Sequence, residues 1–263
     1  MNRLHPALFL GHGSPLHAIE PSRYTAAWEE LGRELPRPRA IVAVSAHWYI
    51  RGTAVTTQAT PRTIHDFHGF PAALYAVKYP APGDPQLAAR VARLLSPAAV
   101  RLDQDWGLDP GAWSVLRHLY PDAAIPVIQL SIDAALAAPQ HYAMAQRLAP
   151  LREAGILVLG SGNVVHNLRA LQIDATVAPP PWAVNFSKAV RQAVLAGRHA
   201  DLAAYQTLDS GAALAVPTPE HYLPLLYVLA LRRAEESVSV PIDGIDLGTI
   251  SMMSVLVGAN QPA

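Results

Sequence analysis

The sequence predicts an α/β fold: a single domain over residues 1–263 with a mostly parallel or mixed central sheet flanked by helices. Three observations carry the prediction. A length of 263 residues suits one large core. Short continuous apolar runs alternate with helix-length amphipathic segments, as expected of strands covered on both faces by helices. Finally, the sequence shows neither a linker nor an internal repeat nor a low-complexity tract that would divide it.

In order, the apolar runs place strands over 7–10, 40–44, 125–130, 156–159 and 250–257. Ser22 is placed to cap a helix running to about residue 34, and Asp84 followed by Pro85 opens another through residue 95. Further helices are expected over 112–119, 140–153, 182–196 and 219–233. In the last of these Thr218 is the expected cap, Pro219 the first helical residue and Pro224 an internal bend. The 24 prolines crowd residues 60–85, 179–181 and 217–224, in connections of the kind that carry function.

Charge and composition exclude several classes. Lys plus Arg and Asp plus Glu are 20 each, with no basic block, so a nucleic-acid partner has no electrostatic support. No run approaches the ~18 apolar residues of a membrane span, and the first residues lack a signal-peptide layout, so a soluble cytoplasmic protein is expected. The absence of cysteine rules out disulfides and thiol catalysis. It also leaves nitrogen and oxygen as the strong metal ligands.

Four histidines sit where an open α/β sheet builds its ligand crevice: His12 after ALFLG, His47 after AIVAVSA, His166 after GILVLGSGNVV, and His221 within PTPEHYLPLLYVLAL. Imidazole suits iron, zinc, copper or nickel, which points to a histidine-rich mononuclear metal site. Each position has a plainer alternative. His12 and Ser14 could merely stabilise a turn, and His47 could be a satisfied core histidine. Asn163 and His166, three apart, would share one face of a helical turn, where either could ligate or orient a substrate. Glu220 is either a favourable first-turn charge or the carboxylate of a two-histidine, one-carboxylate site. The glycine-rich GSGN lacks the spacing of a phosphate cradle. IHDFHGFP at 64–71 reads as a lid over an aromatic ligand or as an aromatic-anchored loop. His5, His141 and His199 are expected at the solvated surface, and His118 at a helix end, capping carbonyls.

Together LFLGHGSP, SAHW, TIHDFHGFP, YPAPGDP, GAWSVL, YPDAAIPVIQLSID, SGNVVHNLR and PTPEHYLPLLYVLAL, in this order over nearly the whole length, resemble the class III extradiol ring-cleavage dioxygenases of the DOPA 4,5-dioxygenase type. The resemblance implies one divalent metal bound by His12, His47, His166 and His221, with iron(II) for dioxygenase activity and zinc(II) as another occupant. It implies a catecholic, DOPA-like aromatic diol and O2 as partners, and opening of the ring beside the diol to a semialdehyde. His166 is the expected proton-transfer residue, a role that competes with ligation. Ser14, Asp66, Asp109 and Asn163 are the expected substrate-binding residues, with His17, His68 and Trp113 lining the pocket. A monomer or small homo-oligomer is expected. One departure stands out: the family segment GLDHGAW reads GLDPGAW here, and Pro110 has neither lone pair nor proton to offer. That departure keeps two other classes open, a zinc-dependent Lewis-acid or hydrolytic enzyme and a non-catalytic binding protein of the Memo type.

Overall fold

Runs of aliphatic residues without polar alternation can be buried only where helices cover both faces of a sheet, and they form its centre here. The computed structural model describes residues 4–174 and 176–258. Its strands are β1 (Ala7–Gly11), β2 (Ala40–Ile50), β3 (Thr53–Thr56), β4 (Val100–Asp103), β5 (Val127–Asp133), β6 (Ile156–Gly162), β7 (Val238–Ile242), β8 (Ile245–Asp246), β9 (Ile250–Ser251) and β10 (Ser254–Val257). All but β8 and β9 form one mixed sheet of eight strands in the order β4-β3-β5-β2-β6-β1-β10-β7. The central four, β5, β2, β6 and β1, run parallel. Antiparallel β10 and β7 close one side. On the other side β3 pairs antiparallel with β5 and carries parallel β4 at the edge. Side chains alternate between the faces, as a pleated strand requires. Phe9, Val42 and Val158 pack with Phe186 and Leu226 on one side. Leu8, Ile41 and Leu157 pack with Trp28 and Trp113 on the other.

The strand runs lie where the apolar pattern places them, although boundaries differ. β2 continues through Ser45–Ala46–His47 to Ile50, with a register shift against β5 between Val44 and Tyr49. Such an irregularity re-aims side chains at a strand end. The run at 250–257 divides into β9 and β10, because the Met252 amide turns aside to bond the Gly244 carbonyl, while the Met253 carbonyl, accepting from Gly11, already lies in register with the β1–β10 ladder. The short strands β3, β4 and β7 have too few residues to show a period.

Among the helices, Ser22 and Asp84 cap Arg23–Glu34 and Pro85–Leu94 as expected. The helix expected over 140–153 is instead Ala138–Ala145, a 3-10 turn and Ala149–Glu153, since Pro150 fits only the first turn of a new helix. The expected 219–233 helix is likewise shorter, Leu223–Leu229, with Pro224 in its first turn rather than bending its interior. Residues 218–222 form a turn, closed by the Tyr222 and Leu223 amides on the Pro219 carbonyl, and Thr218 is no cap.

Three histidines expected at the surface are not there, because each has a specific partner. His5 is buried between the Pro6 and Pro36 carbonyls, both 3.0 Å from its ring nitrogens. His141 is fully buried with Nδ1 3.0 Å from the Tyr227 hydroxyl. His199, half-buried, meets the Tyr142 hydroxyl at 2.7 Å. His118 does bond a carbonyl, but that of His17 at 2.8 Å, across the packing of its helix against the 3-10 turn Pro15–Ala18.

Candidate metal centre

Three adjacent parallel strands end at the same edge of the sheet, and each delivers a histidine there. His12 follows the last residue of β1, His47 lies in the irregular end of β2, and His166 lies four residues beyond β6. His221 comes from the turn before Leu223–Leu229, which packs over β6. Backbone contacts bind these segments together. The His12 amide donates to the Gly162 carbonyl at 3.1 Å and the Asn163 amide to the His221 carbonyl at 2.8 Å. Gly162 permits this approach: a Cβ there would collide with the His221 carbonyl oxygen and lie 3.0 Å from its carbon. Gly13 has φ of +63°, a left-handed conformation open to glycine, and it turns the chain away directly after His12.

The rings of His12 and His47 are 5.3 Å apart between centroids, those of His12 and His221 also 5.3 Å, and those of His47 and His221 5.9 Å. One nitrogen from each lies within 4.8 Å of one from either other. Two nitrogens bound to a shared zinc at ~2.0–2.1 Å are at most ~4.2 Å apart, so a small ring movement closes the trio on an ion. His166 is not in this trio. Its ring stacks on that of His221, with centroids 3.5 Å apart and planes 7° from parallel, and it forms a second group with Glu220 and His221.

Hydrogen bonds assign the ring protons. Ser161 Oγ donates its own proton to the Gly111 carbonyl, so at 3.1 Å from His12 Nδ1 it accepts an Nδ1–H. His47 Nδ1 lies 2.9 and 3.1 Å from the two Asp66 oxygens, and a carboxylate only accepts. His221 Nδ1 lies 3.4 Å from Glu220 Oε1, a long contact of the same sense. In all three rings Nε2 is left with its lone pair, the state a metal ligand requires.

Electrostatics agree for two of the three. Burial, then the neighbouring His221, His47 and His166, holds His12 well below the usual histidine range. Burial, then His166 and His47, does the same for His221. His47 differs: burial pulls it down, but the Asp66 hydrogen bond and the Asp109, Asp66 and Glu220 charges together outweigh burial and raise it. Burial lowers His166 from 6.5 to about 4, helped by His47 and opposed by Glu220. Imidazoles gathered from separate segments, with His12, His166 and His221 held neutral by burial and His47 oriented by Asp66, fit a divalent ion that accepts nitrogen donors.

The other expected site residues lie around this centre in different ways. Asp66 faces His47. Ser14 accepts from the Leu16 amide at 3.3 Å and caps the 3-10 turn. Asp109, fully buried and raised by burial, accepts from the Ala112 amide at 3.1 Å and from Gln129 Nε2 at 2.6 Å, capping Pro110–Leu119. Pro110 occupies the first turn of that helix, beside Gly111, where a Cβ would lie 3.0 Å from the His47 ring. Asn163 donates to the Ser251 carbonyl at 2.9 Å, while its buried Oδ1 has no partner among the described residues. The segment 163–166 is not helical, so Asn163 and His166 do not share a helix face, and His166 instead bridges Ile250. Trp113 is buried and donates to the Ile64 carbonyl at 2.7 Å, and His17 bonds Asp246 at 3.0 Å and Ser22 at 3.3 Å. His68 is exposed. Sequence reasoning missed Ser161 as the partner of His12; its only local signal was a polar residue within the otherwise apolar end of β6.

Residues 6–250 match the family model described as the catalytic LigB subunit of aromatic ring-opening dioxygenase. The chain is 51% identical over 256 residues to the 4,5-DOPA dioxygenase extradiol of Escherichia coli (strain K12), covering 96% of this chain and 94% of that one. It is 39% identical to the protein of the same name from Beta vulgaris, over 82% of this chain and 83% of that one. A crystal structure of an uncharacterized protein from Escherichia coli K12 superposes with a TM-score of 0.85 at 46% identity, covering 97% of this chain and 100% of that one.

Proposed function

The chain belongs to the family of LigB catalytic subunits of aromatic ring-opening dioxygenases, and from that premise we propose that it opens a catecholic, DOPA-like ring beside the diol with O2 as co-substrate. The observation that carries this reading is the trio His12, His47 and His221, with nitrogens within 4.8 Å and Nδ1 atoms held by acceptors. These three would hold one divalent metal, with Nε2 as the nitrogen left free for it, and residues 1–263 act as one catalytic domain. Iron(II) held there supplies the electron transfer between diol and O2 that ring cleavage needs and that zinc, with no redox states, does not.

His166 then has the proton work. Burial keeps it neutral, and its stack on His221 places it one ring's thickness from the trio. It accepts the proton of a diol hydroxyl and returns it to the product. Both atoms of O2 enter that product as the ring carbon–carbon bond next to the diol breaks, so the reaction neither gains nor loses protons. Of the four polar residues expected to bind substrate, Asn163 retains an unmet acceptor, Oδ1, which a substrate hydroxyl would satisfy. The remaining three already have hydrogen-bond partners in the protein.

The test is anaerobic loading with iron(II), then O2 uptake and visible absorbance with a panel of catechols. Stoichiometric uptake with a yellow semialdehyde is the expected result. Pro110 favours one other reading, Lewis-acid hydrolysis at a zinc-loaded centre, and turnover independent of iron would establish it in place of ring cleavage. Binding of catechols without either turnover would identify a binding protein.

A further inference from the structure

Asp66 sits on a loop without regular structure, yet its carboxylate lies in a defined place. The loop is tied down on every side of it. The Ile64 amide donates to the Leu108 carbonyl at 2.7 Å, Trp113 Nε1 to the Ile64 carbonyl at 2.7 Å, and His65 Nε2 to the Val77 carbonyl at 3.0 Å. On the far side Phe67 is buried, with its ring centroid 5.2 Å from that of Phe70 and 5.2 Å from that of Tyr75. Asp66 itself is exposed and bonds no other side chain or amide among the described residues than His47. The fold therefore holds Asp66 in place without depending on it.

Its counterparts at the other two rings are weaker. Ser161 is neutral, and Glu220 lies 3.4 Å from His221 while accepting a 2.7 Å bond from Thr218. Asp66 alone brings a charge within 3.1 Å of a ring nitrogen through both of its oxygens. A carboxylate on the remote nitrogen of a ligating imidazole fixes the tautomer and ring orientation and raises ligand basicity.

We propose, resting on the metal-centre reading above, that Asp66 is a positioning residue: it holds His47 in the Nδ1–H tautomer and aims Nε2 at the ion shared with His12 and His221, so that the 64–71 loop sets metal affinity. Loss of such an outer partner typically weakens metal binding ~10–100-fold.

The experiment compares the parent with D66N, D66A and D66E by two readouts. Nitrogen-15 NMR of the metal-free protein reports the His47 tautomer, and zinc(II) alone, titrated against a chromophoric chelator, reports affinity. The expected result is an Nδ1–H His47 in the parent and a mixed tautomer in D66A. Zinc binding falls ~10–100-fold in D66N and D66A and recovers in part in D66E, with the metal-free protein folded in every variant. A parent that binds zinc, with D66A matching it in affinity and tautomer, overturns the inference alone. A folded parent that takes up no zinc overturns the metal-centre reading and this inference with it.

Discussion

Gly162→Ala probes the contact that brings His221 to the other histidines. The added Cβ would collide with the His221 carbonyl oxygen, lie 3.0 Å from its carbon and 3.3 Å from Pro224 Cγ. Two of those atoms are backbone and the third belongs to a proline ring, so no flexible side chain can yield. The 218–222 turn must instead lift away from β6, which breaks the 2.8 Å bond from the Asn163 amide to the His221 carbonyl. Overpacking costs ~1–3 kcal/mol and the lost bond ~1 kcal/mol, so ~2–4 kcal/mol is expected, read as the shift of a urea midpoint. For a chain of this size that corresponds to a melting point lower by ~4–16 °C. As His221 moves outward the trio opens, and zinc affinity falls ~10-fold or more. Gly52→Ala is the control: its Cβ meets nothing within 4 Å, and its φ of +81° costs only backbone strain of ~1–2 kcal/mol with no effect on zinc. A Gly162→Ala protein that melts with the parent and holds zinc equally would refute the argument that this contact sets the site.

Other outcomes follow from the same geometry. His166→Ala should lower catechol cleavage by the iron-loaded protein ~10²–10⁴-fold while weakening zinc binding less than His12→Ala or His47→Ala; a parent-like rate would remove its proton role. Pro110→His, at a helix start next to Gly111, should raise catechol cleavage, and an unchanged rate in a folded, iron-loaded variant would mean that another group already does this work. Stability of the metal-free protein should decline as pH falls from about 6.5 toward about 4, because His166, lowered to about 4, stays neutral in the fold while the unfolded chain takes up its proton. His12 and His221, also lowered, act in the same direction, whereas His47, raised, contributes below the usual histidine value and loses that contribution as pH climbs through its folded one. Urea midpoints against pH check this: the His166→Ala slope should be flatter by ~1.4 kcal/mol per pH unit, and equal slopes would contradict it.

The amino-acid sequence by itself determined the sheet centre and the ends at which its histidines stand. An unbroken aliphatic run such as AIVAV must be buried on both sides, and burial of that kind is a local property of composition. Proline chemistry is equally local, but its sign was not: Pro224 and Pro150 start helices rather than interrupting them, because what precedes each is a turn that neighbouring segments stabilise. Only the tertiary structure decided which nitrogen of each ring is free. His12 finds Ser161 at a separation of 149 residues and His47 finds Asp66 at 19, and neither pairing leaves a trace in periodicity or spacing. Likewise His5 and His141 look solvent-facing in their own segments and are buried by distant ones. Hydrophobic pattern is written along the chain, whereas a hydrogen bond is chosen by whatever folding brings within about 3 Å, and the proton positions of the candidate centre are of that second kind.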